Sequence, residues 1–378
     1  MKEIVNKRLC TGCTCCMNNC PKGAISFKEF SDGFEYPVID QDKCIDCGLC
    51  KRTCPVLNTS KNASFNKCYV GYNKDFNERL NASSGSIFSL VANYTLDNKG
   101  IVVGAAFDED NHLKHISVEK KEDLDLLRKS KYLQSDLDNI FKYIKEQIKT
   151  RKVLFVGTPC QVAGLKMFLK KDYENLICID LICHGVPSPK LFKKYLNEIE
   201  RDNNSKVLNY NFRDKSTGWQ SYSNTILLKN KKISQIHNDN NYMKLYLSDV
   251  ATRESCYNCN FKLGNKYSDI TLGDFWGVNN CYPDMYNEEG VSAVIINTQK
   301  GEVIFENIKY YIEYKKCLLD EIVQYNPSLK TSCINNNRRN AFFNDIDILS
   351  INDLVKKYVP KPKLRSRIKR QIKRIINK

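Results

Sequence analysis

The sequence predicts an α+β / α/β chain in two parts. A small cysteine-punctuated module comes first, and a mixed α/β region with a partly antiparallel sheet follows it. Three observations carry this. Nine of the 18 cysteines fall in the first 54 of 378 residues, where no long periodicity runs. From residue 67 onward, strand-sized apolar runs alternate with stretches of helical spacing. Between 208 and 237 three strand-like runs follow closely, the last two joined by Asn230-Lys231, which is the pattern of antiparallel pairing.

Taken in order, residues 1–60 form the expected first domain, and the polar stretch 58–66 (NTSKNASFN) reads as a linker. Residues 67–150 form the second. It has strands expected at 68–72 and 101–107 and helices expected at 86–97 and across 121–150. Residues 151–320 form the third. Short apolar runs at 152–156 and 176–182 are typical of buried strands, and Pro189 opens a helix that runs to 201. Antiparallel strands are expected at 208–212, 224–229 and 232–237, further strands at 270–272 and 291–297, and a helix at 300–311. Residues 321–378 are a C-terminal extension that ends in a basic tail.

Composition narrows the function classes. With 42% hydrophobic and 27% charged residues, the chain can bury a core. Its start, MKEIVNKRLC, has no apolar h-region, and no run of 18 apolar residues occurs, so a cytoplasmic protein without a membrane span is expected. Eighteen cysteines in a chain this long do not suit a small secreted disulfide scaffold. In a reducing compartment, clustered cysteines hold metal or do redox chemistry. The net charge is +16, but residues 361–378 alone carry nine basic and no acidic side chains. The excess is therefore mostly one tail, and a nucleic-acid partner is not expected. In that tail Leu364, Ile368, Ile372, Ile375 and Ile376 recur at helical spacing opposite the basic residues. This is the pattern of a helix on an anionic membrane surface, at the inner face of the membrane, and equally of a solvated tail.

The strongest motif is Cys10-x2-Cys13-x2-Cys16-x3-Cys20-Pro21, repeated as Cys44-x2-Cys47-x2-Cys50-x3-Cys54-Pro55. This is the run of bacterial two-cluster ferredoxins. Three thiolates of each run hold one [4Fe–4S] cluster, and the fourth crosses to the other. Cys10, Cys13, Cys16 and Cys54 are thus assigned to one cluster, and Cys44, Cys47, Cys50 and Cys20 to the second. A zinc ribbon also uses paired CxxC, but it does not need two complete runs. Cys15 lies between ligands and is read as a non-ligand.

A second set of four stands apart. Cys160 follows the apolar run 152–156, Cys183 follows the run 176–182, and Cys256 and Cys259 form a CxxC. In an open α/β sheet, ligands collect beyond the carboxyl ends of strands. From chemistry alone this set could be a third [4Fe–4S] cluster, a structural zinc, a redox disulfide, or simply buried cysteines.

Several stretches between 67 and 310 resemble the beta subunit of the coenzyme F420 hydrogenase/dehydrogenase family. They are ASSGS at 82–86, Lys131-Tyr132, GTPCQ at 157–161, CHGVP at 183–187, CYNC at 256–259 and SDITLGDFWG at 268–277. The N-terminal module resembles the extended bacterial members. The resemblance implies an FAD- and [4Fe–4S]-dependent oxidoreductase, with a third cluster on Cys160, Cys183, Cys256 and Cys259. It makes Ser83, Ser84, Gly85 and Ser86 an FAD-binding turn and places Lys131 and Tyr132 by the flavin. Thr158 and Gln161 of the GTPCQ motif join the cofactor-binding residues. Read from the residues alone, 81–86 is only a small polar helix start where Ser83 or Ser84 can cap and Gly85 lets backbone approach an anion. Lys131 could equally be solvated and Tyr132 packed. His184, beside a cluster ligand, is a candidate proton donor or a satisfied core histidine. Arg213, Trp219, Asp274 and Trp276 are candidate pocket residues. The remaining cysteines, Cys68, Cys178, Cys281, Cys317 and Cys333, read as structural.

The resulting expectation is an oxidoreductase passing electrons between a ferredoxin-type one-electron donor, the clusters and FAD, to a small-molecule substrate. The alternatives are an electron-relay subunit of a larger complex without its own substrate, and an iron–sulfur regulatory sensor. The absence of a helix-turn-helix pattern counts against the sensor.

Overall fold

The computed structural model describes residues 3–59, 67–263 and 267–360. The basic tail at 361–378 and most of the 58–66 linker lie outside these residues. Among the described residues no helix is long and apolar enough to cross a membrane.

The first module is built on a two-stranded antiparallel hairpin, β1 (Ile25–Glu29) and β2 (Glu35–Ile39), with short helices at Cys15–Asn19 and Leu49–Arg52. It does not stand apart from the body. Phe34 and Tyr36 are buried in the same core as Leu191, Phe192 and Tyr242. The backbone carbonyl of Asp32 accepts a hydrogen bond from Ser188 Oγ (2.6 Å), and its carboxylate pairs with Arg339 (2.9 Å).

The body carries a mixed eight-stranded sheet. Its strands are β3 (Lys67–Asn73), β4 (Ile101–Phe107), β5 (Leu113–Val118), β6 (Val153–Gly157), β7 (Leu176–Leu181), β11 (Ile270–Asp274), β12 (Ser292–Ile296) and β13 (Ile312–Lys316). The order is β13-β3-β12-β11-β7-β6-β4-β5. The centre, β4-β6-β7-β11, is parallel, and the flanking pairs are antiparallel. Alternation along the central strands feeds two layers. Val102, Leu154 and Ile177 pack under the helices Ile87–Asp97 and Gln299–Ile308. Val103, Phe155 and Leu176 pack under Ile140–Gln147 and Pro159–Leu169. A second, antiparallel sheet of β8 (Val207–Asp214), β9 (Ser223–Leu228) and β10 (Lys232–Ile236) lies under the helix Pro189–Asn203.

Two expectations change. The helical pattern across 121–150 is interrupted. Helix forms at Leu124–Leu127 and Ile140–Gln147, while residues 128–139 run irregularly. That segment turns Lys131, Tyr132 and Ser135 toward a cavity and places Asp136 beside Lys114 of β5, which tertiary contacts favour over continued helix. The C-terminal extension is part of the body as far as residue 358. Leu329 joins one core, and Phe342, Ile346, Leu354 and Tyr358 join another. Strands β5 and β13 carry mixed polar and apolar residues, and no sequence signal marks them.

Candidate functional site

Three gaps in the structure are each bordered by four of the predicted cysteines. Cys10, Cys13, Cys16 and Cys54 line one. Cys20, Cys44, Cys47 and Cys50 line the second, where Cys47 is exposed. Cys160, Cys183, Cys256 and Cys259 line the third. Among the described residues no three His, Cys, Asp or Glu side chains converge on a point sized for one ion. The sulfurs surround gaps instead, and four soft thiol donors around a gap fit an iron–sulfur cube. Cys15, wholly buried, donates its thiol to the Thr53 carbonyl (3.1 Å), as suits a non-ligand. Burial pushes the Cys160 thiol up to about 12, and Cys259 beside it adds to the effect, so ligation there must displace firmly held protons.

The third gap sits where the parallel strands end. Cys160 is at the start of the helix after β6, and Cys183 lies just past β7. Thr158 and Gln161 form a capping box on that helix, with Thr158 N–H donating to Gln161 Oε1 (2.9 Å). Thr158 Oγ1 also contacts Cys160 Sγ (3.2 Å). One turn along, Gly164 lets the helix lie against the first module, because a Cβ there would meet Cys13 Cβ at 2.9 Å. Cys333 reads as structural from sequence, and its Sγ packs near Gly185, which borders this gap, since a Cβ there would meet it at 3.4 Å.

A cavity of about 430 Å³ adjoins the third gap. Ile182, Cys183 and His184 border both. Of the residues expected to bind cofactor, Ser83, Ser84, Ser86, Lys131, Tyr132, Thr158 and Gln161 line the cavity, and Gly85 does not. Gly85 has a different job. It packs on strand backbone, where a Cβ would meet Gly71 O at 2.7 Å. The cap also differs from expectation. Ser86, in the left-handed region at φ 63°, precedes the helix Ile87–Asp97. Ser83 Oγ is occupied by Ser130 N–H (2.7 Å), and Ser84 Oγ donates to Val291 O (2.9 Å).

Four buried polar atoms of cavity-lining residues have no protein partner: Ser86 Oγ, Ser89 Oγ, His115 Nδ1 and Arg128 Nε. Buried polar groups are normally hydrogen-bonded, so these atoms suit a polar ligand. His115 Nε2 meets the Val156 carbonyl (3.0 Å), which fixes the ring proton there. Burial lowers the imidazole to about 4, so near neutral pH Nδ1 offers a lone pair. Lys131 Nζ is held by the carbonyls of Leu126 (2.9 Å) and Arg128 (2.7 Å). Burial, with Lys129 nearby, pushes this ammonium down to about 7.

The candidate pocket residues form one network. Arg213 is 1% exposed and pairs with both oxygens of Asp274 (2.9 and 3.1 Å). It also donates to Tyr132 OH (2.9 Å) and Ser83 O (2.8 Å). Trp219 Nε1 donates to Asp274 Oδ1 (2.8 Å), and Trp219 stacks on Trp276 at 5.0 Å. His184 Nε2 lies 2.6 Å from Asp249 Oδ1, so the ring is oriented by a carboxylate.

Ser89, His115, Tyr222 and Tyr246 also line the cavity, and none of them belongs to a motif that stands out in the sequence. Ser89 lies three residues after Ser86, the spacing that puts two side chains on one helical face, and that signal is readable. His115 carries none.

The model of a 4Fe-4S dicluster domain matches residues 9–58. The model of the C terminus of the coenzyme F420 hydrogenase/dehydrogenase beta subunit matches residues 150–318. Residues 150–318 thus carry the C-terminal domain of this family. The family domain contains the second cysteine set and most of the third gap. The coenzyme F420-dependent sulfite reductase of Methanocaldococcus jannaschii is 26% identical over 85% of this chain and 49% of its own length. The chain therefore spans about half of that relative. A subunit of the F(420)H(2) dehydrogenase of Methanosarcina mazei is 22% identical over 82% of this chain and 85% of its own. A chain of the F420-reducing [NiFe] hydrogenase complex from Methanosarcina barkeri aligns over 70% of this chain and 91% of its own, with TM-score 0.49 and 18% identity.

Proposed function

We propose that this beta-family chain is an iron–sulfur flavoprotein oxidoreductase, moving electrons between a ferredoxin-type one-electron donor and a small redox-active substrate. One observation carries the reading: the first and third cysteine gaps and the cavity are contiguous. Thr11 borders the first and third gaps, and Cys183 and His184 border the third gap and the cavity. On this reading the three cysteine sets hold three [4Fe–4S] clusters and the cavity holds FAD. A bound flavin takes electrons singly and hands them on in pairs, which is why the two cofactor kinds occur together.

The chain's own residues prepare the cavity. Ser86 and Ser89 offer hydroxyls beside the N–H groups of a helix start, a setting suited to a diphosphate. His115 accepts a hydrogen bond at Nδ1. The Arg213–Asp274 pair fixes Tyr132 in the wall and Trp219 behind it, where Trp219 stacks on Trp276 of the wall. His184, oriented by Asp249, holds a proton between the third gap and the cavity. Below about pH 7 Lys131 puts a cation on the wall, which favours an anionic reduced ring.

The test is an anaerobic redox titration of the full chain loaded with FAD, using a reduced two-cluster bacterial ferredoxin as donor. The flavin is expected to bleach, and Lys131→Ala is expected to lower its midpoint potential. No bleaching removes the electron path, and an unchanged midpoint removes the role of Lys131. A second reading, a relay component without its own substrate, is favoured by the 85% span of a relative named as a dehydrogenase subunit. Turnover by the isolated chain, with coenzyme F420 among the substrates assayed, separates the two.

A further inference from the structure

Arg253 lies between the first and third cysteine sets and is 1% exposed. Its guanidinium is fully engaged across the boundary between the first module and the body. Nε donates to Cys10 O (2.7 Å), one terminal nitrogen to Gln134 Oε1 (2.8 Å) and the other to Glu35 O (2.9 Å). The last also lies 3.9 Å from Cys10 Sγ. The aromatic rings of Phe34 and Tyr36 cover it at 5.1 and 4.4 Å. On the other side, the Arg253 carbonyl accepts the N–H of Cys256 (2.9 Å), so the residue is bonded to a cysteine of each set. Gly12, at φ +71°, makes room, since a Cβ there would meet the guanidinium at 2.9 Å.

What the guanidinium lacks is a carboxylate. Asp32 is the buried acid of the adjoining loop, and it is taken by Arg339. Glu35 meets Arg253 through its carbonyl. Among the described residues no acid forms an ion pair with Arg253. An arginine buried to this degree is costly without a compensating negative charge. The groups around it that can carry such charge are the Glu35 carboxylate, which burial disposes toward its neutral form, and the thiolates with whatever they bind.

We propose that Arg253 is the shared counter-cation and positioning residue of the two cysteine sets that meet at this boundary. It rests on the reading that both sets carry [4Fe–4S] clusters. Reduction adds negative charge to a cluster, and a fixed cation beside it favours the reduced form. Arg253 also joins the clusters to the flavin side of the cavity. Gln134, its partner, lies in the irregular 128–139 segment that carries Lys131 and Tyr132, and it also donates to Thr11 O (3.3 Å).

The experiment is an EPR-monitored redox titration of the full, anaerobically reconstituted chain, with iron content determined in parallel. It compares wild type, Arg253→Gln, Arg253→Lys and Gln134→Glu. Arg253→Gln is expected to shift the midpoints of the first and third clusters to more negative values and to leave the cluster on Cys20, Cys44, Cys47 and Cys50 in place. Arg253→Lys keeps the charge and is expected to restore both midpoints. Gln134→Glu cancels the field without removing the guanidinium, so it reports even if Arg253→Gln fails to fold, and it should give the same negative shift. Unchanged midpoints in either charge-altering variant, or equal shifts in the Gln and Lys variants, overturn the proposal. A wild type that lacks the third cluster overturns the underlying reading instead, and iron content shows that before any titration.

Discussion

Replacing Cys256 and Cys259 with serine is expected to remove about four of about twelve irons and leave both ferredoxin-type clusters intact. No residue of the dicluster run at 9–58 other than Thr11 borders the third gap. The double variant should therefore still show the spectra of the first two clusters. Its cavity residues are untouched, since neither cysteine lines the cavity, so FAD should still bind. What should fail is reduction of the bound flavin by reduced ferredoxin. Stopped-flow bleaching is expected to fall to the rate at which the same ferredoxin reduces unbound FAD. A variant that keeps all its irons, or that bleaches at the wild-type rate, places the electron path elsewhere.

Asp274→Ala is expected to be the most destabilising single substitution in the cavity wall. It strands Arg213, which is buried and has Asp274 as its ion-pair partner. Removing one member of a buried pair typically costs about 3–5 kcal/mol, because the remaining charge is left uncompensated. The Trp219 indole N–H loses its acceptor as well. Asp274→Asn keeps an acceptor for Trp219 but not the charge, so it should fall between wild type and alanine. Urea unfolding of the anaerobic loaded protein measures this. An alanine variant within about 0.5 kcal/mol of wild type, the usual spread of surface changes, would show that the pair does not hold the wall.

The parts of the site that sequence makes legible are those whose chemistry fixes spacing. A cluster needs three thiols on a tight loop and a fourth nearby, so the two CxxCxxCxxxCP runs can be read directly. Cys160 and Cys183 are legible for another reason: each follows a short apolar run, and strand ends in parallel sheets collect ligands. Grouping them with Cys256 and Cys259 needs the family resemblance, because a long stretch of sequence separates Cys183 from the CxxC. The central strands are legible from continuous apolar runs such as IVVGAAF, which both faces of the sheet bury.

The rest is hidden where long-range contacts override local pattern. Residues 128–139 carry helical spacing yet wrap the cavity, since Leu133 and Leu137 find separate cores and Tyr132 is held by Arg213. Arg253 looks like a surface arginine in a polar stretch, yet it is buried against Phe34 and Tyr36 of the first module. His115 is one polar residue in a mixed strand, and only its missing partner at Nδ1 marks it. The left-handed turn falls at Ser86, whereas sequence alone points to Ser83 or Ser84 as the cap. Only the three-dimensional hydrogen bonds of Ser83 and Ser84 take both of them out of that role.

The central claim is that three four-cysteine sets lead to one flavin. Its most direct test is the iron, sulfide, zinc and flavin content of the full chain after anaerobic purification and reconstitution. About twelve irons, about twelve sulfides, one FAD and no zinc per chain is the predicted result. About eight irons with zinc present, or any iron content without bound flavin, would contradict it and leave a ferredoxin module attached to a domain with different chemistry.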